Sequence, residues 1–157
     1  MKNIKFIVLA LAATFAFSCS SSSSGSDGGN DDTYIKFKIN GIQSNMIEPS
    51  TLTSLTASIF GSEEVAGDIR TLILRTPSTA AVGTHDIVDA LPSDMGAYGV
   101  SYSLGDISFE ATSGTMTISS IGDEYMVGTF TCSGVYGGTT YNITAGTFRV
   151  FKPVPIN

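Results

Sequence analysis

Residues 35–42 read Ile-Lys-Phe-Lys-Ile-Asn-Gly-Ile. Ile35, Phe37 and Ile39 alternate with Lys36, Lys38 and Asn40, so an extended backbone here has one apolar and one wet face. Asn40-Gly41 follows at once, and Ile42 resumes the apolar pattern. Both turn residues tolerate positive φ, and this pair between apolar runs is the strongest short-range signal for a two-residue hairpin. The stretch therefore predicts two strands and the turn that joins them.

The period of two continues downstream. Leu55, Ala57 and Ile59 alternate with Thr and Ser, and Ile69 to Leu74 is nearly continuous and apolar, as in a central strand. Pro77 to Gly83 breaks that run. Tyr98, Val100, Tyr102 and Leu104 share one parity before Gly105-Asp106 turns the chain into Ile107 and Phe109. Thr115 to Ile121 alternates again. Met126, Gly128, Phe130 and Cys132 fall on one face of a later strand. Tyr141, Ile143 and Ala145 continue the pattern, with Gly146 expected at a bulge before Phe148 and Val150. The one exception is a turn of helix near Pro92 to Met95. The expected fold is all-β: an antiparallel β-sandwich of about eight to ten strands. A lipocalin-like β-barrel is the alternative, because meandering hairpins build either.

Composition agrees. The chain has 157 residues, a length that favours a single domain. Gly is abundant (17), Trp is absent and charged residues make up only 14%, a strand-and-turn balance. Fourteen acids face eight bases, and two of those bases, Lys2 and Lys5, lie at the very start. Without that end six bases face fourteen acids, a net charge of −8. Such a surface repels phosphate backbones, so nucleic acid is not an expected partner.

The N-terminal end has a different grammar. Lys2 and Lys5 precede twelve uncharged residues, Phe6 to Phe17. As a helix that run spans about 18 Å, short of the roughly 30 Å of bilayer hydrocarbon. It reads as a secretory signal peptide. Ala16-Phe17-Ser18-Cys19 then resembles the box that closes bacterial lipoprotein signal peptides, in the looser form common among Bacteroidota. Ser18 fits the small position beside the cut. Phe17 departs from the usual small or polar residue, and Ala16 from the usual Leu. The resemblance implies cleavage before Cys19 and lipid on its sulfur. One acyl chain holds a protein only marginally, whereas two or three anchor it. Residues 20–32, SSSSSGSDGGNDD, have no apolar side chain to bury and form a tether with a reach of about 20 Å. The organisation read from the chain is a signal peptide over 1–18, a lipidated Cys19 with its tether over 19–32, and one β domain over 33–157. Some Bacteroidota lipoproteins carry acids after the lipid cysteine that send them to the cell surface. Asp27, Asp31 and Asp32 point that way although they start late, so the expected location is the outer membrane with the domain at the cell surface, and a periplasm-facing position is the alternative.

The C-terminal half carries a second resemblance. Gly114 to Ile118, Gly128-Thr129-Phe130, and Ile143-Thr144-Ala145-Gly146-Thr147-Phe148-Arg149-Val150 are similar to strands of small uncharacterised Bacteroidota lipoproteins. That resemblance covers about half of the chain after the tether and implies a β-sandwich domain with no catalytic residues carried across.

Chemistry-bearing residues are sparse. His85 is the only histidine, whereas triads and zinc sites need one with partners in reach. No G-x-S-x-G or calcium-loop spacing occurs. Cys132 shares parity with Phe130 and reads as a buried thiol. Glu63-Glu64 and Asp123-Glu124 are adjacent acids, which point opposite ways along a strand and make poor clamps. No metal and no cofactor is expected, and the chain does not read as an enzyme. Tyr98, Tyr102 and Tyr136 are the candidate ligand-contact aromatics, since tyrosines on a sheet face or loop stack on sugars or touch proteins. The expected function is a membrane-anchored, non-catalytic binding module of the cell envelope, its partner a glycan, peptide or envelope protein. The alternative is a structural or assembly subunit of an outer-membrane or fimbria-like complex.

Overall fold

The computed structural model describes residues 33–54, 56–89 and 96–154. The signal peptide, Cys19, the tether, Leu55 and the Pro92–Met95 turn lie outside the described residues. Ten strands form: β1 (Tyr34–Ile39), β2 (Ile42–Ile47), β3 (Ser50–Thr53), β4 (Thr56–Val65), β5 (Asp68–Pro77), β6 (Gly83–Asp86), β7 (Gly99–Leu104), β8 (Ile107–Ile121), β9 (Tyr125–Tyr136) and β10 (Thr139–Phe151). All pair antiparallel, within the strand count the sequence predicts.

The turns follow from residue chemistry. Asn40 (φ 46°) and Gly41 (φ 85°) make the predicted hairpin between β1 and β2, with both central residues at positive φ, the twist that suits a two-residue connection. The same geometry joins β4 to β5 through Ala66 (φ 53°) and Gly67, where an alanine occupies a site better suited to Asn or Gly.

The strand order is β2-β1-β10-β9-β8-β7-β5-β4-β3, with β6 added beside β8. This is a meander whose N-terminal hairpin docks against the last strand. The 15-residue β8 belongs to two leaves. Its first residues, Ile107–Glu110, pair with β7, and Ala111–Ile121 pair with β9. A register shift between Ala111 and Ser113 marks the corner, where bulges let a strand pass from one sheet to the next. The two leaves are thus a sandwich that is continuous, barrel-like, along β8. On the opposite side β2 faces β4 through side chains.

One core fills the space between the leaves. An aromatic chain crosses it: Phe148 to Phe130 at 6.4 Å between ring centroids, Phe130 to Phe37 at 6.3 Å, Phe37 edge-on to Tyr102 at 6.4 Å, then Tyr102 to Phe109 at 5.3 Å. Gly128 pairs with Phe148 and Gly146 with Phe130, so the two Gly-Thr-Phe motifs interlock reciprocally. A Cβ on Gly146 would lie 2.6 Å from the Phe130 ring, so the aromatic occupies the space the glycine leaves.

Two expectations need adjustment. The β10 bulge falls at Thr144–Ala145, so Ala145 (φ 51°) turns outward and Gly146 takes the inward place. Ile69 is 60% exposed, because β5 has one wet face rather than the two dry faces of a buried central strand.

Candidate functional site

A charged pair on the inward face of the sheet follows from register. Glu63 and Arg70 are direct cross-strand partners on the inward face of the β4–β5 hairpin. Arg70 Nη1 donates to Glu63 Oε1 at 2.6 Å, and Ser44 Oγ donates to the same oxygen at 2.6 Å. The Asn45 backbone N–H donates to Glu63 Oε2 at 3.1 Å. Glu63 therefore clasps β2 to β4 where the backbone ladder does not. Burial alone would raise its carboxyl pKa. The donors from Ser44, Asn45 and Arg70 outweigh that and hold it below the usual value. The same burial raises the Tyr102 hydroxyl, with the neighbouring Arg70 guanidinium opposing.

The three candidate tyrosines do not meet. Tyr102 is 3% exposed and forms part of the aromatic chain. Tyr98 is 7% exposed and stacks on His85, ring centroids 4.0 Å apart and planes within 9°. Both follow from the shared parity of Tyr98, Val100 and Tyr102, which points them at the core. Tyr136 alone is open, at the β9–β10 hairpin. No glycan platform forms from this set. His85 shares a hydrogen bond with the Ala81 carbonyl through Nε2 at 2.9 Å, and the Tyr98 hydroxyl accepts from the Ala81 N–H at 3.4 Å. The pair pins the loop between β5 and β6. Cys132 is a buried free thiol, its pKa pushed up to about 12 by desolvation. Among the described residues no three His, Cys, Asp or Glu side chains are grouped to hold a metal ion.

An aromatic cluster of half-buried Tyr34 and Tyr125 and exposed Phe151 lies elsewhere, on the outer face of β1, β10 and β9. One rung runs Ile47, Tyr34, Arg149, Val127 across β2, β1, β10 and β9. Phe151 and Tyr125 pair on the next rung and stack at 5.4 Å. The Arg149 guanidinium lies 4.3 Å from the centre of the Tyr125 ring, and Lys36 Nζ lies 4.6 Å from that of Tyr34. Such contacts hold flexible cations in place over aromatic faces. Arg149, Tyr125 and Val127 also line an open groove of about 770 Å³, together with Asp123 and Glu124 of the β8–β9 turn. Beyond the platform the face is hydroxylated: Thr84, Thr117, Thr129 and Thr147 share a rung across β6, β8, β9 and β10.

The parity of the core residues does not single these side chains out. Tyr125, Val127, Arg149 and Phe151 occupy the positions between the core residues Met126, Gly128, Phe148 and Val150. An aromatic at a wet position is the signal that finds them. Comparisons with family models, with curated proteins and with solved structures return no match.

Proposed function

We propose that this chain is a lipid-anchored, non-catalytic binding module of the bacterial envelope. Lipid on Cys19 holds it to the outer membrane, residues 20–32 tether it, and the β domain offers its surface to a partner. The observation that carries the binding reading is the Tyr34–Lys36–Arg149–Tyr125–Phe151 platform. Half-buried tyrosines with cations laid over them, beside the exposed Phe151, stand on the sheet, an arrangement suited to holding a ligand without bond-breaking. His85, the residue best fitted to acid–base work near neutral pH, is engaged with Tyr98 and Ala81. The assembly-subunit reading draws on β2 and β3, the two edge strands of the meander, since sheet edges are sites of strand addition.

Two measurements test the proposal. In cells fed an alkyne fatty acid, the wild-type chain incorporates label and Cys19→Ala does not. The mature chain, screened by thermal shift against glycans, cell-wall fragments and lipid headgroups, gains about 2.7 kcal/mol from a ligand present at a hundredfold over its Kd. Tyr125→Ala removes that shift while its melt in the absence of ligand stays cooperative. An unlabelled wild-type chain refutes the anchor. A ligand shift that Tyr125→Ala leaves intact refutes the platform.

A further inference from the structure

The domain's six bases are unevenly placed. Arg70 pairs with Glu63 at 2.6 Å and Arg75 with Glu110 at 2.7 Å. The other four, Lys36, Lys38, Arg149 and Lys152, have no salt-bridge partner among the described residues. All four belong to β1, to β10 or to the residue after it, and these two strands are neighbours. A chain whose mature net charge is −8 thus gathers three of them, Lys36, Lys38 and Arg149, on the outer face of β1 and β10, while Lys152 lines a separate cavity with Ile121 and Met126. Two exposed apolar side chains lie on that outer face: Ile47 (56% exposed) opposite Tyr34 and Phe151 (40%) opposite Tyr125. Two acids, Asp123 and Glu124 of the β8–β9 turn, line the groove at one end of this face beside Tyr125 and Arg149, and the lysines of β1 stand away from them.

We propose that this outer face of β1 and β10 rests on an anionic lipid headgroup surface. The inference builds on the lipid-anchor reading and names the partner of the platform. Three arguments converge. Charge complementarity comes first: each Lys or Arg close to an anionic membrane strengthens binding about fivefold. The side-chain types come second. Tyr, Lys and Arg place apolar bodies at the boundary and polar tips in water, and Phe151 adds a wholly apolar side chain, a mixture suited to a membrane interface. Geometry comes third. The tether runs into the domain at Tyr34, within the platform itself. As a Ser/Gly-rich tether, residues 20–32 have a root-mean-square span of about 20 Å. A lipid on Cys19 therefore keeps this face nearer the headgroups than the β4–β5 leaf. Tethering raises the local concentration to the millimolar range, so a weak surface contact suffices to fix the orientation.

The test uses the mature chain, residues 19–157, with Cys19→Ser, which retains every described strand and core residue while removing the lipid site. Co-sedimentation compares phosphatidylcholine vesicles with vesicles containing about 30 mol% phosphatidylglycerol. The expected result is binding to the anionic vesicles alone, weakened by salt. Lys36→Gln combined with Lys38→Gln, both at exposed positions, lowers it about 25-fold. The chain has no tryptophan, so Phe151→Trp gives a single reporter, expected to shift to the blue on anionic vesicles. Equal partition to both vesicle types overturns the proposal, as does an unchanged affinity in the double variant. A Phe151→Trp response to a soluble polyuronate but not to vesicles also overturns it and assigns the face to an acidic glycan. Because the assay needs no lipid on Cys19, its failure is separable from a failed fatty-acid label.

Discussion

Glu63→Ala tests the idea that one carboxylate closes the fold where the backbone ladder does not. The substitution removes the acceptor for three donors at once: Ser44 Oγ, the Asn45 N–H and Arg70 Nη1. It leaves the Arg70 side chain, 5% exposed, without its counter-ion. Removing one partner of a buried pair costs about 3–5 kcal/mol. Glu63 keeps 21% of its side chain in contact with water, so the lower end, about 3 kcal/mol, is expected here. For a domain of this length that lowers Tm by about 10 °C. Pairing Glu63→Leu with Arg70→Met should recover most of the loss, since an apolar pair of similar volume replaces two buried charges. Urea unfolding of the four members of the cycle gives the coupling energy, expected at about 2 kcal/mol or more. The pH dependence has a definite sign. The folded-state pKa of Glu63 is lowered relative to the unfolded chain, so its contribution is complete above the unfolded value near 4.5. It is lost as pH falls through the folded value. Wild type should therefore lose more stability on acidification than Glu63→Gln. Single substitutions that each cost under about 1 kcal/mol and simply add in the double variant would refute the clasp.

Gly146→Ala sets a methyl against the Phe130 ring and carbonyl, and is expected to cost about 2–3 kcal/mol by chemical denaturation. A neutral result would mean the reciprocal Gly–Phe pairing has slack. Ala66→Asn places a residue tolerant of positive φ in the β4–β5 turn and should raise stability by about 0.5–1 kcal/mol, read as a higher urea midpoint at constant slope. With its pKa pushed up to about 12 and only 6% exposure, Cys132 should resist alkylation at pH 8 in the native state and react on unfolding. Rapid labelling of the folded chain would contradict its burial. His85→Ala removes the stack on Tyr98 and the tie to Ala81, and hydrogen exchange should quicken in the β5–β6 loop while the β9–β10 ladder stays protected.

What the sequence disclosed was local. Asn40-Gly41 names its own turn, and the inward parity of Phe37, Phe130 and Phe148 identifies the core. Non-local facts were hidden. The passage of β8 between leaves depends on a bulge near Ala111–Ser113 that no residue there announces. The outward turn of Ala145 came from a one-residue displacement of a bulge that Gly146 had suggested. Glu63 and Arg70 were legible in principle: a turn at Ala66-Gly67 pairs them across the hairpin, and both hold the parity of core residues. Opposite charges at facing dry positions should have been read as a pair. Tyr125 and Phe151 are legible as aromatics at wet positions, but their assembly with Arg149 and Tyr34 into one platform depends on the register between β9 and β10 and on the docking of β1 beside them.

The pairing of β1 with β10 has a consequence for how the chain acquires its structure. The earliest strand to be synthesised finds its partner in the last, with Tyr34 opposite Arg149, so the longest loop in the domain must close before the N-terminal hairpin is secured. Until the residues of β10 are available, β1 and β9 each have an unsatisfied edge, and the middle of the meander can assemble but not seal. Folding should be slow for a domain of this size, as expected when contacts join the two ends of a chain. Truncation before Phe148 should yield not a smaller stable domain but an open sheet prone to association.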